Sequence, residues 1–424
     1  MKTFNKALQV ALLAASVVLS ACGGGSSSNS GSTSNSGIDW AAQPSWPITP
    51  TTPSTPDAPA DANTVPIAVD RSMGSVNLLA VTLTVCPPSA SNASQCETIP
   101  NMLLDTGSVG VRVTAGAISR SLKSKLLLQV GATDDASQSY PIAECALFGS
   151  GFTWGQVRRA DVTIDPKQAR NIPIQIIDDG AYATPQDCIS SGPKFDMPSG
   201  FNGIVGIGHS VRDYPGVADK VLPVYYYCQS SAACYATRVS LDKQVMNPVA
   251  AFTASNNGTI IRLPALPAGG QASVTGELVF GVGTQGNNAL PSNANVMMVD
   301  QYGYFTTEYQ GRAFINSAID SGTNGFAFPD STIPTTGEWF TPARTLSLSA
   351  SLEATNGAGT PIPLTFSIDN FINVTANGYA AYNSVGMYFS DMYLWGLPFF
   401  YGRNVYTVLE GAKVGTQVGP FVAF

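Results

Sequence analysis

A single histidine, His209, stands in a chain of 424 residues. Zinc sites built from several imidazoles are thereby excluded, and a Ser-His-Asp or Cys-His centre would have to use this one side chain. No serine sits in a complete Gly-x-Ser-x-Gly, so the turn that presents such a nucleophile is missing too. His209 follows an apolar, Gly-rich run and is read as structural. Charge is scarce: Asp, Glu, Lys and Arg make up 12% of the chain, about half the usual share of roughly 25%. The net charge is −7, and the basic residues form no cluster, which argues against nucleic-acid binding. The surface must therefore be largely Ser, Thr, Asn and Gln, as suits an exported β-rich protein. Cys-x-x-Cys is absent, and Asp134-Asp135 and Asp178-Asp179 lack the spaced oxygen ligands of a calcium loop. No metal and no cofactor are expected. Past Val18, no apolar run reaches the roughly 18 residues that a spanning helix needs.

What is present begins with Met1-Lys2, Lys6, an apolar run from Ala7 to Val18, and Leu19-Ser20-Ala21-Cys22. A short basic start, a compact apolar run and small residues before a cleavage point describe a secretory signal. Leu-Ser-Ala-Cys resembles the lipobox of bacterial lipoproteins, which implies removal of residues 1–21 and lipidation of Cys22. The plainer alternative is an ordinary signal with a cysteine at its cleavage site. Gly23 is compatible with sorting to the outer membrane, so the expected location is the cell envelope, on its periplasmic or surface face. Residues 22–64 are Gly, Ser, Asn, Thr and Pro with few apolar groups, and read as a flexible tether. The remaining chain suffices for two packed units, expected at 65–240 and 241–424. Six further cysteines in an exported chain suggest disulfides, and six permit 15 pairings. Short loops favour Cys86–Cys96 and Cys228–Cys234, which leaves Cys145–Cys188.

Alternating or β-branched runs recur at Val76–Val85, Asp161–Ile164, Ile172–Ile177, Thr259–Leu263, Glu277–Phe280, Tyr302–Tyr309 and Leu364–Ile368. Gly, Pro and Asn punctuate them, which predicts an all-β fold. Short helices are expected only at Val239–Met246 and after Gly216. Gly281-Val282-Gly283-Thr284-Gln285-Gly286 has dinucleotide-loop spacing, but loop residues rather than a helix come after it, so it is read as a β-turn. Tyr225-Tyr226-Tyr227 and Phe399-Phe400-Tyr401 fit a ligand groove or a core equally well.

Two stretches say nearly the same thing 215 residues apart: Leu104-Asp105-Thr106-Gly107-Ser108 and Ile319-Asp320-Ser321-Gly322-Thr323. Together with segments later in each half, they resemble the pepsin-like aspartic proteases. Asn202-Gly203-Ile204-Val205-Gly206-Ile207-Gly208 is similar to the family's second signature in its first lobe. Leu394-Trp395-Gly396 stands where the second-lobe copy belongs, and Phe399 to Val408 resembles the closing segment. Gly276 to Gly281 is similar to a family strand in mid-chain, and Phe148-Gly149-Ser150-Gly151 is similar to the flap, a hairpin over the cleft. The whole chain also looks like a bacterial lipoprotein family of this fold, which adds no function.

The resemblance implies a bilobal, pseudo-twofold, all-β protein with Asp105 and Asp320 as a catalytic pair. Thr106 and Ser321 would brace the two loops against each other, while Ser108 and Thr323 donate to the outer carboxylate oxygens. Gly107 and Gly322 let backbone amides approach the carboxylates. Two adjacent carboxyls share a proton, so one can activate water while the other polarises a carbonyl. The substrate would be an extended peptide or protein held under the flap by backbone hydrogen bonds. The protein is expected to be a monomer that meets the membrane through its lipid anchor alone. A relative that has lost catalysis and binds a protein or glycan is the competing reading. Three positions depart from the family pattern: Phe148 replaces the flap Tyr, Arg112 replaces a Trp, and Leu397 replaces an Asp. Arg112 is read as pointing outward into solvent; turned inward, it would favour ionised Asp105.

Overall fold

The computed structural model describes residues 62–390 and 392–424. Residues 1–21, Cys22 and most of the expected tether lie outside the described residues. The described chain is all-β with few and short helices, the longest being the six-residue Arg120–Lys125. Sixteen strands form one sheet, nine form a second, and a two-stranded ribbon lies near the C-terminal end. No described helix is long and apolar enough to cross a membrane.

The strands arise where the sequence alternates or stays apolar. Glu97–Asp105 runs polar into apolar and delivers Asp105 directly after buried Met102, Leu103 and Leu104. It lies parallel to Gly203–Ile207, with Asp105 opposite Gly206. The chain then turns, and Val109–Thr114 returns antiparallel along the other side of Gly203–Ile207. The second half repeats the device. Arg312–Ile319 runs parallel to Leu394–Trp395, and Phe326–Phe328 pairs with the same strand antiparallel. Asp105 therefore ends a central strand and Asp320 directly follows one, each strand having a neighbour from about 75 to 100 positions later in the chain, a geometry held by tertiary packing rather than local propensity.

The large sheet draws on both ends of the chain. Thr64–Val69 pairs with Val274–Phe280, and Asn404–Val408 and Phe421–Ala423 extend the same array. A continuous apolar core joins these strands, from Val69 and Val85 through Ile260 and Val279 to Trp395 and Phe399. Three disulfides fasten the first half: Cys86–Cys96, Cys145–Cys188 and Cys228–Cys234. These are the expected pairs, two favoured by short loops and the third the pair that remained. The helices expected at Val239–Met246 and after Gly216 shrink to single 3-10 turns, Leu241–Lys243 and Pro215–Ala218.

Candidate functional site

The two Asp motifs meet, and they meet crosswise. A Cβ added to Gly107 would lie 2.7 Å from the Asp320 carboxyl carbon, and one added to Gly322 would lie 2.6 Å from Asp105 Oδ1. Each carboxyl thus occupies the space that the other loop leaves by carrying glycine, so no larger residue fits at either place.

Around that contact the hydrogen bonds are mirrored. The Gly107 amide donates to Asp105 Oδ1 and the Gly322 amide to Asp320 Oδ1, each at 2.8 Å. Ser108 Oγ donates to Asp105 Oδ2 at 2.5 Å, and Thr323 Oγ1 donates to Asp320 Oδ2 at 2.6 Å. Beneath them the loops are laced together. The Thr106 amide donates to Ser321 Oγ at 3.1 Å, and the Ser321 amide to Thr106 Oγ1 at 2.9 Å. Both hydroxyls also donate onward, Thr106 to the Ile319 carbonyl and Ser321 to the Leu104 carbonyl. The polar side chains of this buried crossing all have partners, the condition under which such a network is rigid.

Asp105 is buried, and Asp320 is half-buried. Burial pushes the Asp105 carboxyl well above its usual range, and the charge of Asp320 and a hydrogen bond to it push the same way. The Ser108 hydroxyl and the Gly107 amide pull it back. The physical reading is an Asp105 carboxyl that tends to keep its proton because it is buried beside a second carboxyl.

The residues read as a flap form a hairpin. Ile142–Phe148 and Gly151–Ile164 pair with Phe148 opposite Gly151, leaving Gly149 and Ser150 exposed at the turn. Phe148 packs against a cluster that includes Leu103, two residues before Asp105, and stacks on Phe195 at 5.4 Å. The turn approaches Phe389 from the second half: a Cβ on Gly149 would lie 3.9 Å from its ring.

Arg112 corrects the sequence reading. It points inward and is only 2% exposed, with Nη2 2.6 Å from Glu144 and 2.9 Å from Asp213. The outward reading fails because Val109–Thr114 is covered on both faces. Its charge is engaged by these two carboxylates rather than by Asp105. Sequence reasoning missed Glu144 and Asp213, although a Glu within the apolar run Ile142-Ala143-Glu144-Cys145-Ala146 was a usable signal. Leu397 is fully buried and donates its amide to the Thr323 carbonyl at 2.7 Å, so this position supports the second loop through its backbone.

The other candidates are structural. His209 is buried, its Nδ1 2.9 Å from the Val408 carbonyl, and burial pushes its imidazole down to about 4. Residues 281–286 form bends and a turn with no helix after them. Tyr225, Tyr226, Phe399 and Phe400 are core residues. Asp134 pairs with Arg238, and no group of metal-ligating side chains occurs among the described residues. A cavity of about 470 Å3 opens in the second half beside Phe366, Asp369 and Arg403, and its lining includes neither Asp motif.

Residues 59–424 match a family described as a protein of unknown function, DUF3443. The chain belongs to that family. No curated protein matches it. Both Asp motifs, the hairpin and all six disulfide cysteines fall within the family span.

Proposed function

We propose that this protein is an aspartic endopeptidase of the pepsin-like type, bilobal, with Asp105 and Asp320 as its catalytic pair. The observation that carries the reading is the reciprocal seating of each carboxyl against the glycine of the other loop, with mirrored amide and hydroxyl donors. One binding hydrogen bond or one capping carboxylate needs no such duplication, whereas a shared proton does.

In this reading the ionised member of the pair removes a proton from a water molecule as its oxygen adds to the scissile carbonyl carbon. The protonated member gives its proton to the carbonyl oxygen, producing a tetrahedral diol. Collapse of the diol breaks the C–N bond, a proton passes to the departing nitrogen, and the products are a carboxylic acid and an amine. The hairpin turn at Gly149 and Ser150 covers an extended peptide that lies across the pair. Signal, lipobox and tether suggest that this chemistry belongs at the cell envelope, anchored through Cys22.

The test is cleavage of an unstructured polypeptide by the protein, by Asp105→Asn and by Asp320→Asn, from acid to neutral pH. Cleavage by the wild type, strongest in acid and abolished in both variants, supports the proposal. Equal turnover by all three proteins excludes the pair. The departure at Phe148, which removes the flap hydroxyl, favours a second reading in which a non-catalytic relative captures a protein or glycan. That reading expects no cleavage at any pH and capture that survives the double Asn change. A pepstatin-type transition-state mimic separates the two by thermal shift, because only a proton-sharing pair gains from its central hydroxyl.

A further inference from the structure

Two of the three departures from the family pattern, Arg112 and Phe148, lie against one another. The Arg112 guanidinium carbon lies 5.7 Å from the centre of the Phe148 ring, within the distance at which a cation is attracted to an aromatic face. The same guanidinium reaches three other places. Nη1 donates to the Val109 carbonyl at 2.6 Å, at the exit of the first Asp loop. Nη2 bonds Glu144 on the hairpin strand and Asp213 on the loop beyond His209. The hairpin is tied to that loop a second time, because the Leu147 amide donates to the Tyr214 hydroxyl at 2.8 Å. The Tyr225 hydroxyl lies within hydrogen-bond distance of both oxygens of Asp213 and receives the Val245 amide.

We propose that Arg112 is a positioning residue, clamped between Glu144 and Asp213, that holds the Phe148 ring and with it the hairpin in register with the Asp105 loop. This rests on the reading of Asp105 and Asp320 as a catalytic pair. Where a hydroxyl would fix a flap Tyr by one hydrogen bond, this chain fixes a Phe by a cation beside its ring. A planar guanidinium is suited to that task, since it can stack and fork hydrogen bonds at once, and lysine cannot. Two carboxylates for one guanidinium leave the cluster one negative charge in excess, and Glu144 Oε2 has no donor. A proton retained between Glu144 and Asp213 removes the excess and supplies that donor. The groups facing the cluster are Arg112, Glu144, Asp213, Tyr214, Tyr225 and the neighbouring Arg212. Burial, followed by Glu144, pushes Asp213 well above its usual range, so the proton is kept in acid and lost on the alkaline side.

The experiment measures amide-exchange protection of residues 142–152 without substrate, together with peptide kinetics, for the wild type, Arg112→Lys, Phe148→Leu and the double variant. Arg112→Lys is expected to lower hairpin protection about tenfold, the size of a partly buried cation–aromatic contact, and to raise KM more than it lowers kcat. In the Phe148→Leu background the same change should add little. Glu144→Gln keeps the Arg112–Asp213 pair and should flatten the pH dependence of hairpin protection; it also serves if Arg112→Lys does not fold. Unchanged hairpin protection in Arg112→Lys, loss spread evenly over the whole chain, or simple addition of the two single effects overturns the proposal. Hairpin-confined loss in a protein that cleaves nothing would sink the peptidase reading and leave the clamp standing.

Discussion

Tyr401 and Asn77 meet across the molecule, the Tyr401 hydroxyl donating to Asn77 Oδ1 at 2.9 Å. Asn77 is fully buried and makes three further bonds. Its amide nitrogen donates to the carbonyls of Asn324 and Tyr382, and its oxygen receives the Tyr382 amide. One side chain near the start of the described residues thereby satisfies polar groups beside the second Asp loop. Asn77→Ala leaves at least two buried groups without partners, and the expected cost is about 2–4 kcal/mol. Denaturant unfolding measures it, and a change below roughly 0.5 kcal/mol would show that water replaces the side chain.

Asp105 sets one arm of the pH dependence. Its folded value lies above its unfolded value, so its contribution is fully present below the unfolded value and is lost as pH rises through the folded one. Asp105→Asn should flatten the fall in stability above about pH 4, while a residual slope from Asp213 remains. Unfolding midpoints over a pH series test this. Identical slopes in the wild type and the variant would contradict the buried, shared proton.

His209 works the other way. Burial lowers its value to about 4, so its neutral form is the folded form and its stabilisation is lost as pH falls from the usual range near 6.5 toward that value. Because the chain has one histidine, its imidazole resonances need no assignment. They should show no titration at about pH 5–6, and a midpoint close to 6.5 would place the ring in water. His209→Gln should remove this acid-side loss while sparing any cleavage.

Cys145–Cys188 closes the widest of the three loops, 43 residues, and pins the hairpin strand to the short helix Gln186–Ser190. Replacing both cysteines with Ser should cost about 4 kcal/mol by chain entropy. Removing Cys228–Cys234, which spans six positions, should cost less. A larger loss from the shorter loop would show that something other than loop entropy sets the order.

The Asp loops were legible in the sequence because four consecutive residues supply nearly all of their local bonds. The hydroxyl exchange between Thr106 and Ser321 is apparent once the two copies are superposed. Two disulfides were legible from spacing, Cys86–Cys96 and Cys228–Cys234, and Cys145–Cys188 followed as the pair left over. Arg112 was not, for a definite reason. Alternation along Val109–Thr114 places Val111 and Val113 inward and Arg112 outward, but this strand lies between Lys167–Ile177 and Gly203–Ile207 with both faces covered. In a strand buried on both sides, alternation loses its meaning. Its partners lie 32 and 101 positions away, beyond any local pattern. The helix Arg120–Lys125 also escaped notice; its signal was Ser119, whose hydroxyl caps the Leu122 amide.

The crosswise seating of the two carboxyls has a consequence for biosynthesis. Neither acid can find its mate until the strand that frames Asp320 is braced by Leu394–Trp395, and the broad array is finished only when Phe421–Ala423 joins Asn404–Val408. A chain still emerging from the ribosome holds Asp105 well before Asp320 can reach it. Whatever the pair can do, it becomes able to do it only after Leu394–Trp395 and Phe421–Ala423 have arrived.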